Sequence, residues 1–432
     1  MDESQVEEET HAAIRNMNLK QASNQIGRRS RQLRRFLSGR ETPKIVDLVR
    51  TAAADYIRPK HVPLPVGRDQ VLAADLSRSV QNPILEIHAG DPLYLNWVMI
   101  PPSPGSGGHT TIFRIIRYLE SHGYINRVYF YNLYNSDHQY YESILRDYYG
   151  FHGYVAELAS DMEDAHGVIA TAWSTAYPVF NSRCRGKRFY FVQDYEPSFH
   201  SVGAASLLAE NTYRMGFHAI TAGKWLAQKL TTDFGMSADS FDFCCDTATY
   251  HRSQNSTRSG LVFYARPEAS RRGFELGLMA MEIFAARRPD IDLHFYGDKM
   301  GKLPFRFIDH GHISPDRLNQ IYNQCYAGLS LSLTNVSLVP HEMLAAGCIP
   351  VVNDADHNRI VLDNSFVRYA APYPHALANE LEAIVTDPNF ELLSKAAASS
   401  VHGSTWDHAG DAVDAILRRA LADPKCKQNL SV

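Results

Sequence analysis

The feature that most limits the fold of this chain is an alternation that begins near residue 92. Tyr94 to Ile100 reads as a strand, Pro101 to Gly108 as a loop and His109 to Ser121 as a helix. Further apolar runs of strand length follow at Arg127 to Tyr131, Gly167 to Thr171, Phe189 to Val192 and His218 to Thr221, with helical patterns between them. Strands separated by helices specify a parallel sheet covered on both faces. After the polar stretch His251 to Ser259 the pattern restarts. Strands are expected at Leu261 to Tyr264, Ile291 to Tyr296 and Gly328 to Leu333, and helices at Arg272 to Ala286 and Pro315 to Tyr326. Two such arrays predict an α/β chain of two Rossmann-like domains. Ligands of these sheets bind beyond the carboxyl ends of the strands, so the two sets of strand ends would face each other across a cleft.

At 432 residues the chain is long enough for two or three cores. A net charge of −4 supplies no basic excess to neutralise a phosphate backbone, so a nucleic-acid partner is not expected. Cysteines at 184, 244, 245, 325, 348 and 426 form no C-x-x-C pair and read as reduced thiols. No apolar run reaches the roughly 18 residues of a spanning helix. Met1 to Thr10 is acidic, unlike a secretory signal, and a cytoplasmic protein is expected. The next segment is basic, with Lys20, Arg28, Arg29, Arg31, Arg34, Arg35 and Arg40 around Leu33, Phe36 and Leu37. It reads as a solvated arm, or as an amphipathic helix touching an anionic membrane from the inner face. The expected organisation is an N-terminal extension over 1–85, partly disordered or helical, a first domain over 86–245, a second over 246–405, and a closing helix and tail over 406–432.

Four constellations fall at strand ends. Pro104-Gly105-Ser106-Gly107-Gly108-His109-Thr110 joins the first strand to the first helix, where Gly107 and Gly108 admit close backbone approach and the helix start favours an anion. It lacks the Gly-Lys-Ser/Thr ending of a P-loop, and Thr110 stands where a dinucleotide fingerprint needs its third glycine. Gln193-Asp194-Tyr195-Glu196-Pro197 ends an apolar strand with polar side chains; Asp194 fits either a turn cap or a cleft residue. Arg266-Pro267 precedes Arg271-Arg272-Gly273 after the first strand of the second array. Arginine binds phosphate in bidentate fashion, and two arginines at a helix start oppose the macrodipole unless an anion lies beside them. Last, Pro340 suits a first helical turn, Gly347 a left-handed cap and Ile349 to Val352 a buried strand, with Glu342 in the first turn of that helix. Phe295-Tyr296-Gly297-Asp298 and Gly311-His312-Ile313-Ser314 fit ordinary turns or ligand loops equally.

The run Ser337 to Val352, with Arg266 and Arg271-Arg272-Gly273, resembles the nucleotide-sugar signature of GT-B glycosyltransferases, and Gln193 to Pro197 brings the chain nearest to the bacterial rhamnan-type rhamnosyltransferases. The resemblance covers about three quarters of the chain. It implies a GT-B fold, with an acceptor-side first domain and a nucleotide-sugar-binding second domain, and transfer of a sugar from a nucleoside diphosphate to a hydroxyl of a growing glycan with retention. It implies dTDP-rhamnose as donor and a glycan or lipid-linked acceptor; no acidic metal site stands out in the sequence, so neither a divalent cation nor a further cofactor is expected. Arg266 and one of Arg271 and Arg272 would stabilise the leaving diphosphate, with Asp194 in the catalytic cleft. Gly107 and Gly108 would approach the donor, Gly297 would lie near it, and Ile313 would contact the base through its backbone. Glu342 would hold the ribose. The family carries a second glutamate eight positions earlier; here that position is Thr334, followed by Asn335, and their hydroxyl and amide can hydrogen-bond the donor sugar but cannot supply a carboxylate's charge. Gln193 likewise stands where the family often has histidine, which rules out a histidine base there. The rival readings are a non-catalytic glycan- or nucleotide-sugar-binding relative and a dinucleotide-dependent oxidoreductase.

Overall fold

The structure is a computed structural model and describes residue 53 and residues 64–77, 84–87, 90–134, 136–158, 161–254, 257–403 and 405–422. The basic segment Lys20 to Arg40 and Cys426 lie outside the described residues. The described residues from 64 onward form one compact unit. Packing against the first sheet begins ahead of residue 86: Val66 is buried, and the Gly67 N–H donates to the Tyr131 hydroxyl at 2.7 Å.

Seven strands build the first sheet: β1 (Leu93–Met99), β2 (Tyr124–Phe130), β3 (Tyr154–Glu157), β4 (Gly167–Ala170), β5 (Lys187–Val192), β6 (His218–Ala222) and β7 (Ala238–Phe241). Their order is β3-β2-β1-β4-β5-β6-β7, with every pairing parallel. Six form the second: β8 (Gly260–Ala265), β9 (Asp292–Gly297), β10 (Ile308–Asp309), β11 (Cys325–Leu329), β12 (Ile349–Asn353) and β13 (Arg368–Ala370). These run β10-β9-β8-β11-β12-β13, again all parallel. Strands covered on both faces lose nearly all contact with water, and Leu95, Trp97, Val98, Met99, Leu261, Val262 and Phe263 are fully buried. The polar exceptions carry partners: the Trp97 indole N–H donates to Asn126 Oδ1 at 2.8 Å, and the Asn96 amide to the Glu163 carbonyl at 2.6 Å.

Strand order reverses between β1 and β4 in the first sheet and between β8 and β11 in the second. At such a switch point neighbouring loops leave in opposite directions and open a crevice. The glycine-rich loop leaves β1 at the first. Arg266 leaves β8, and Ser330 to Asn335 leave β11, at the second.

Two expectations shift. The helix expected from Arg272 begins at Phe274, because Ser270–Arg272 close a 3-10 turn that ends at Gly273 with φ +56°. The two arginines therefore precede the helix rather than open it. The strand expected over 328–333 runs instead from Cys325 to Leu329. Beyond it the Ser332 N–H turns to Asn353 Oδ1 and the Leu333 N–H to the Arg271 carbonyl, which takes this backbone out of the ladder. The closing helix, Trp406–Ala422, packs on the first domain, with Tyr124 donating to Asp414 at 2.6 Å and Lys187 Nζ to the Ala420 carbonyl at 2.7 Å. Among the described residues no helix is long and apolar enough to cross a membrane. Cys184, Cys244, Cys245, Cys325 and Cys348 are buried and free.

Candidate active site

Gly297 ends β9 with φ +116°, and a Cβ there would stand 2.3 Å from the Ala265 carbonyl. Only glycine lets the ends of β8 and β9 approach so closely. That approach places Arg266 beside Asp298: Nε donates to Asp298 Oδ2 at 3.2 Å and Nη1 to the Tyr264 hydroxyl at 3.3 Å. The next loop joins the same corner, since the Gly297 N–H donates to the Gly311 carbonyl at 3.1 Å and His312 Nε2 lies 3.6 Å from Asp298 Oδ1. Ile313 follows, half-buried against the core, just before the helix Pro315–Gln324.

The 3-10 turn sends its two arginines in different directions. Arg272 reaches into its own domain, donating to Ser332 Oγ at 2.9 Å and to the Asn335 carbonyl at 3.4 Å. Burial lowers its pKa, while Asp194 pushes it up and Arg271 and Arg266 push it down. All three guanidinium groups thus share one electrostatic neighbourhood. Arg271 crosses to the first domain, with Nε 3.5 Å from Asp194 Oδ2 and its guanidinium 4.5 Å above the Phe199 ring.

Asp194 also accepts the Asn335 backbone N–H at 2.8 Å. The Asn335 amide then donates to the Gln193 and Ala222 carbonyls, both at 2.9 Å, at the ends of β5 and β6. Asn335 is fully buried, so a loop of the second sheet is set into the strand ends of the first. Gln193 continues the connection by donating to the Gly108 carbonyl at 3.2 Å. Gly107 and Gly108 open the helix Gly107–Ser121, capped by Ser106. Asp194, Asn335, Gly108, Arg271 and Arg272 are therefore brought together. Thr334 Oγ1, Asn335 Oδ1 and Ser337 Oγ are buried there without hydrogen-bond partners. Buried polar atoms are nearly always paired, so these three stand out in the loop that follows β11.

Glu342 lies in the first turn of the helix Val339–Ala345. Burial pushes its carboxyl up to about 7, opposed by a hydrogen bond from Tyr322 and by the charge of Arg114. Arg114 belongs to the glycine-loop helix, so Glu342 faces the first domain. A continuous path leads back to the arginines. The Tyr322 hydroxyl donates to Glu342 Oε2 at 3.4 Å and lies 2.7 Å from the Tyr296 hydroxyl; Tyr296 stacks on Tyr264 at 5.1 Å; Tyr264 accepts from Arg266. Sequence reasoning missed this tyrosine relay, although each of its rings lies at a strand end or on a helix already singled out. Glu196 has a structural role: it is buried, accepts the Trp173 N–H at 2.8 Å and the Tyr190 hydroxyl at 2.9 Å, and caps the helix Trp173–Asn181.

Residues 259–382 match the family model described as WsaF, C-terminal domain. The chain is 34% identical over 269 residues to the O-antigen biosynthesis protein RfbC of Myxococcus xanthus. That match covers 59% of this chain and 21% of the relative, so the chain spans about a fifth of the relative's length. Among solved structures it is similar to a glycosyltransferase from Rickettsia africae, with a TM-score of 0.55, 11% identity, and coverage of 78% of this chain and 99% of the other. It is also similar to the O-GlcNAc transferase of Thermobaculum terrenum, with a TM-score of 0.55, 12% identity, and coverage of 83% and 74%. At such identities the likeness is one of fold. Two parallel-sheet domains whose strand ends meet across a cleft, in the company of these neighbours, establish the GT-B architecture.

Proposed function

We propose that the chain is a glycosyltransferase of glycan or polysaccharide biosynthesis, moving a sugar from a nucleoside-diphosphate donor to a hydroxyl of a growing glycan. The observation that carries the reading is the placement of Arg266, Arg271 and Arg272 at the switch point of the second sheet, opposite the glycine loop and linked through tyrosines to Glu342. Likeness to an O-antigen biosynthesis protein supports it. The arginines would neutralise charge as the diphosphate departs. Charge that builds only in the transition state makes such fixed cations the largest electrostatic aid to transfer. Glu342 would hold the ribose. Thr334 Oγ1 and Asn335 Oδ1 would take hydroxyls of the sugar in place of a carboxylate. Retention at the anomeric carbon is proposed with the reaction class, and dTDP-rhamnose is the first donor to try.

The experiment is thermal unfolding with a panel of nucleoside diphosphates and their sugars. A ligand bound to the native state at about 100 times its Kd stabilises by about 2.7 kcal/mol, a shift of several degrees. No shift with any of them would remove the reading. Thr334 in place of a carboxylate favours one alternative, a nucleotide-sugar binder without turnover. Slow hydrolysis of the donor that protects best would exclude it.

A further inference from the structure

The segment after β2 carries exposed rings that donor chemistry leaves unused. Tyr140 is 56% exposed and Tyr148 53%, although both lie in one short stretch, the helix His138–Ser143 continued by a π turn at Ile144–Tyr148. The opposite face anchors it: Ile144 and Leu145 are buried, and the Tyr149 hydroxyl donates to the Ser103 carbonyl at 2.7 Å. Eight residues of regular α-helix would set two side chains roughly 80° apart. The wider π turn reduces that angle and brings both rings toward one side, and turns of this kind gather at functional sites. Each exposed ring is braced by a more buried neighbour at T-shaped geometry, Tyr140 by Tyr141 at 5.2 Å and Tyr148 by Tyr149 at 4.9 Å. Bracing fixes the rings before a ligand arrives and lowers the entropy cost of binding.

The position is as informative as the rings. The Tyr148 hydroxyl lies 3.8 Å from where a Cβ on Gly105 would stand, in the loop that runs into Gly107 and Gly108. The surface is therefore continuous with the mouth of the cleft. The exposed side chains between residues 137 and 148 are Asp137, Gln139, Tyr140, Ser143, Asp147 and Tyr148, with no aliphatic among them. Three carboxylates, Asp137, Glu142 and Asp147, stand against one arginine, Arg146, which Glu142 pairs at 2.7 Å. Such a surface repels polyanions and anionic lipid and offers little to an apolar helix. It suits a pyranose, whose C–H face stacks on an aromatic ring while its hydroxyl edge bonds to phenol and carboxylate oxygens.

We propose that Tyr140 and Tyr148 form a stacking platform for the sugar rings of a neutral glycan at the entrance to the cleft. That this glycan is the acceptor rests on the transferase reading; that it binds here does not. The test applies the full chain to an array of neutral and acidic oligosaccharides, with thermal protection by UDP and dTDP measured separately. Wild type is expected to retain neutral oligosaccharides. The double variant Tyr140→Ala/Tyr148→Ala should lose about tenfold or more in apparent affinity, Tyr140→Phe/Tyr148→Phe should keep most of it, and nucleotide protection should be the same in all three. Retention of acidic oligosaccharides alone, of none, or equally by wild type and the alanine double variant would overturn the platform. Glycan retention of the expected pattern, with no protection by UDP, dTDP or any other member of the nucleotide panel above, would support the platform and overturn the transferase reading.

Discussion

Glu342 carries a carboxyl raised from 4.5 to about 7 by burial. The folded chain therefore holds a proton between those values that the unfolded chain gives up. The resulting stability is full below about pH 4.5 and is lost as pH rises through about 7. Glu342→Gln should match wild type in urea unfolding near pH 4 and exceed it at pH 8 by on the order of 1–2 kcal/mol, allowing for the water the side chain still touches. A difference that stays constant with pH would contradict the buried-acid assignment. The arginines separate by a different measurement. Arg266→Ala and Arg271→Ala should lower kcat with a confirmed donor by on the order of a hundredfold, with less change in donor KM, since their contribution is greatest as charge develops. Arg272→Ala should also lower Tm, because Ser332 Oγ loses its donor and the Asn335 carbonyl keeps only the Ser332 hydroxyl. Near-wild-type kcat in all three would remove the clamp. The sequence showed that these residues stand at strand ends. It could not show which way they turn, because Arg271 and Arg272 are adjacent in one 3-10 turn and point to partners in different domains.

Elements follow the same division between local and distant causes. The cap after Val339–Ala345 was legible because it is local: Gly347 has φ +68°, its N–H donates to the Leu344 carbonyl at 2.8 Å, and the Cys348 N–H donates to that of Met343 at 2.9 Å. That is the Schellman pattern, which a small residue followed by an apolar strand announces. Short edge strands such as Tyr154–Glu157 and Ala238–Phe241 were not legible, since their half-exposed residues carry no continuous apolar run and pairing with a neighbour defines them. Close approach between distant helices is equally silent in sequence. A Cβ on Gly410 would stand 2.2 Å from Cγ of Tyr118, so the closing helix lies directly on that ring. Gly410→Ala raises intrinsic helix propensity by about 1 kcal/mol, but overpacking costs typically 1–3 kcal/mol. Such a contact leaves the second effect in control. The variant should unfold at a lower temperature than wild type in calorimetry; an unchanged or higher Tm would mean that the helix moves away at little cost.

At the scale of the molecule, Asn335 joins the domains through three hydrogen bonds, two from its amide and one from its backbone. Its pattern of polar loop after apolar strand was visible in the sequence; its partners, some 110 to 140 residues earlier, were not. Asn335→Ala should destabilise by roughly 1–3 kcal/mol through two carbonyls left without a donor. Asn335→Asp should cost more, because a carboxylate cannot donate to them and would face Asp194. Urea midpoints in the order wild type, Ala, Asp would support this tie, and equal midpoints would refute it. The return of Trp406–Ala422 to the first domain has a further consequence, for the chain as it is being made. The last strand of the first sheet ends at Phe241, and the helix that covers Tyr118 and Tyr124 is complete only at Ala422, roughly 180 residues later. At about 5–20 residues per second a ribosome takes on the order of ten to forty seconds to make that stretch. Throughout that interval the second domain can finish folding while the first still presents a bare flank. Of these two domains, the one translated earlier is therefore the one completed later.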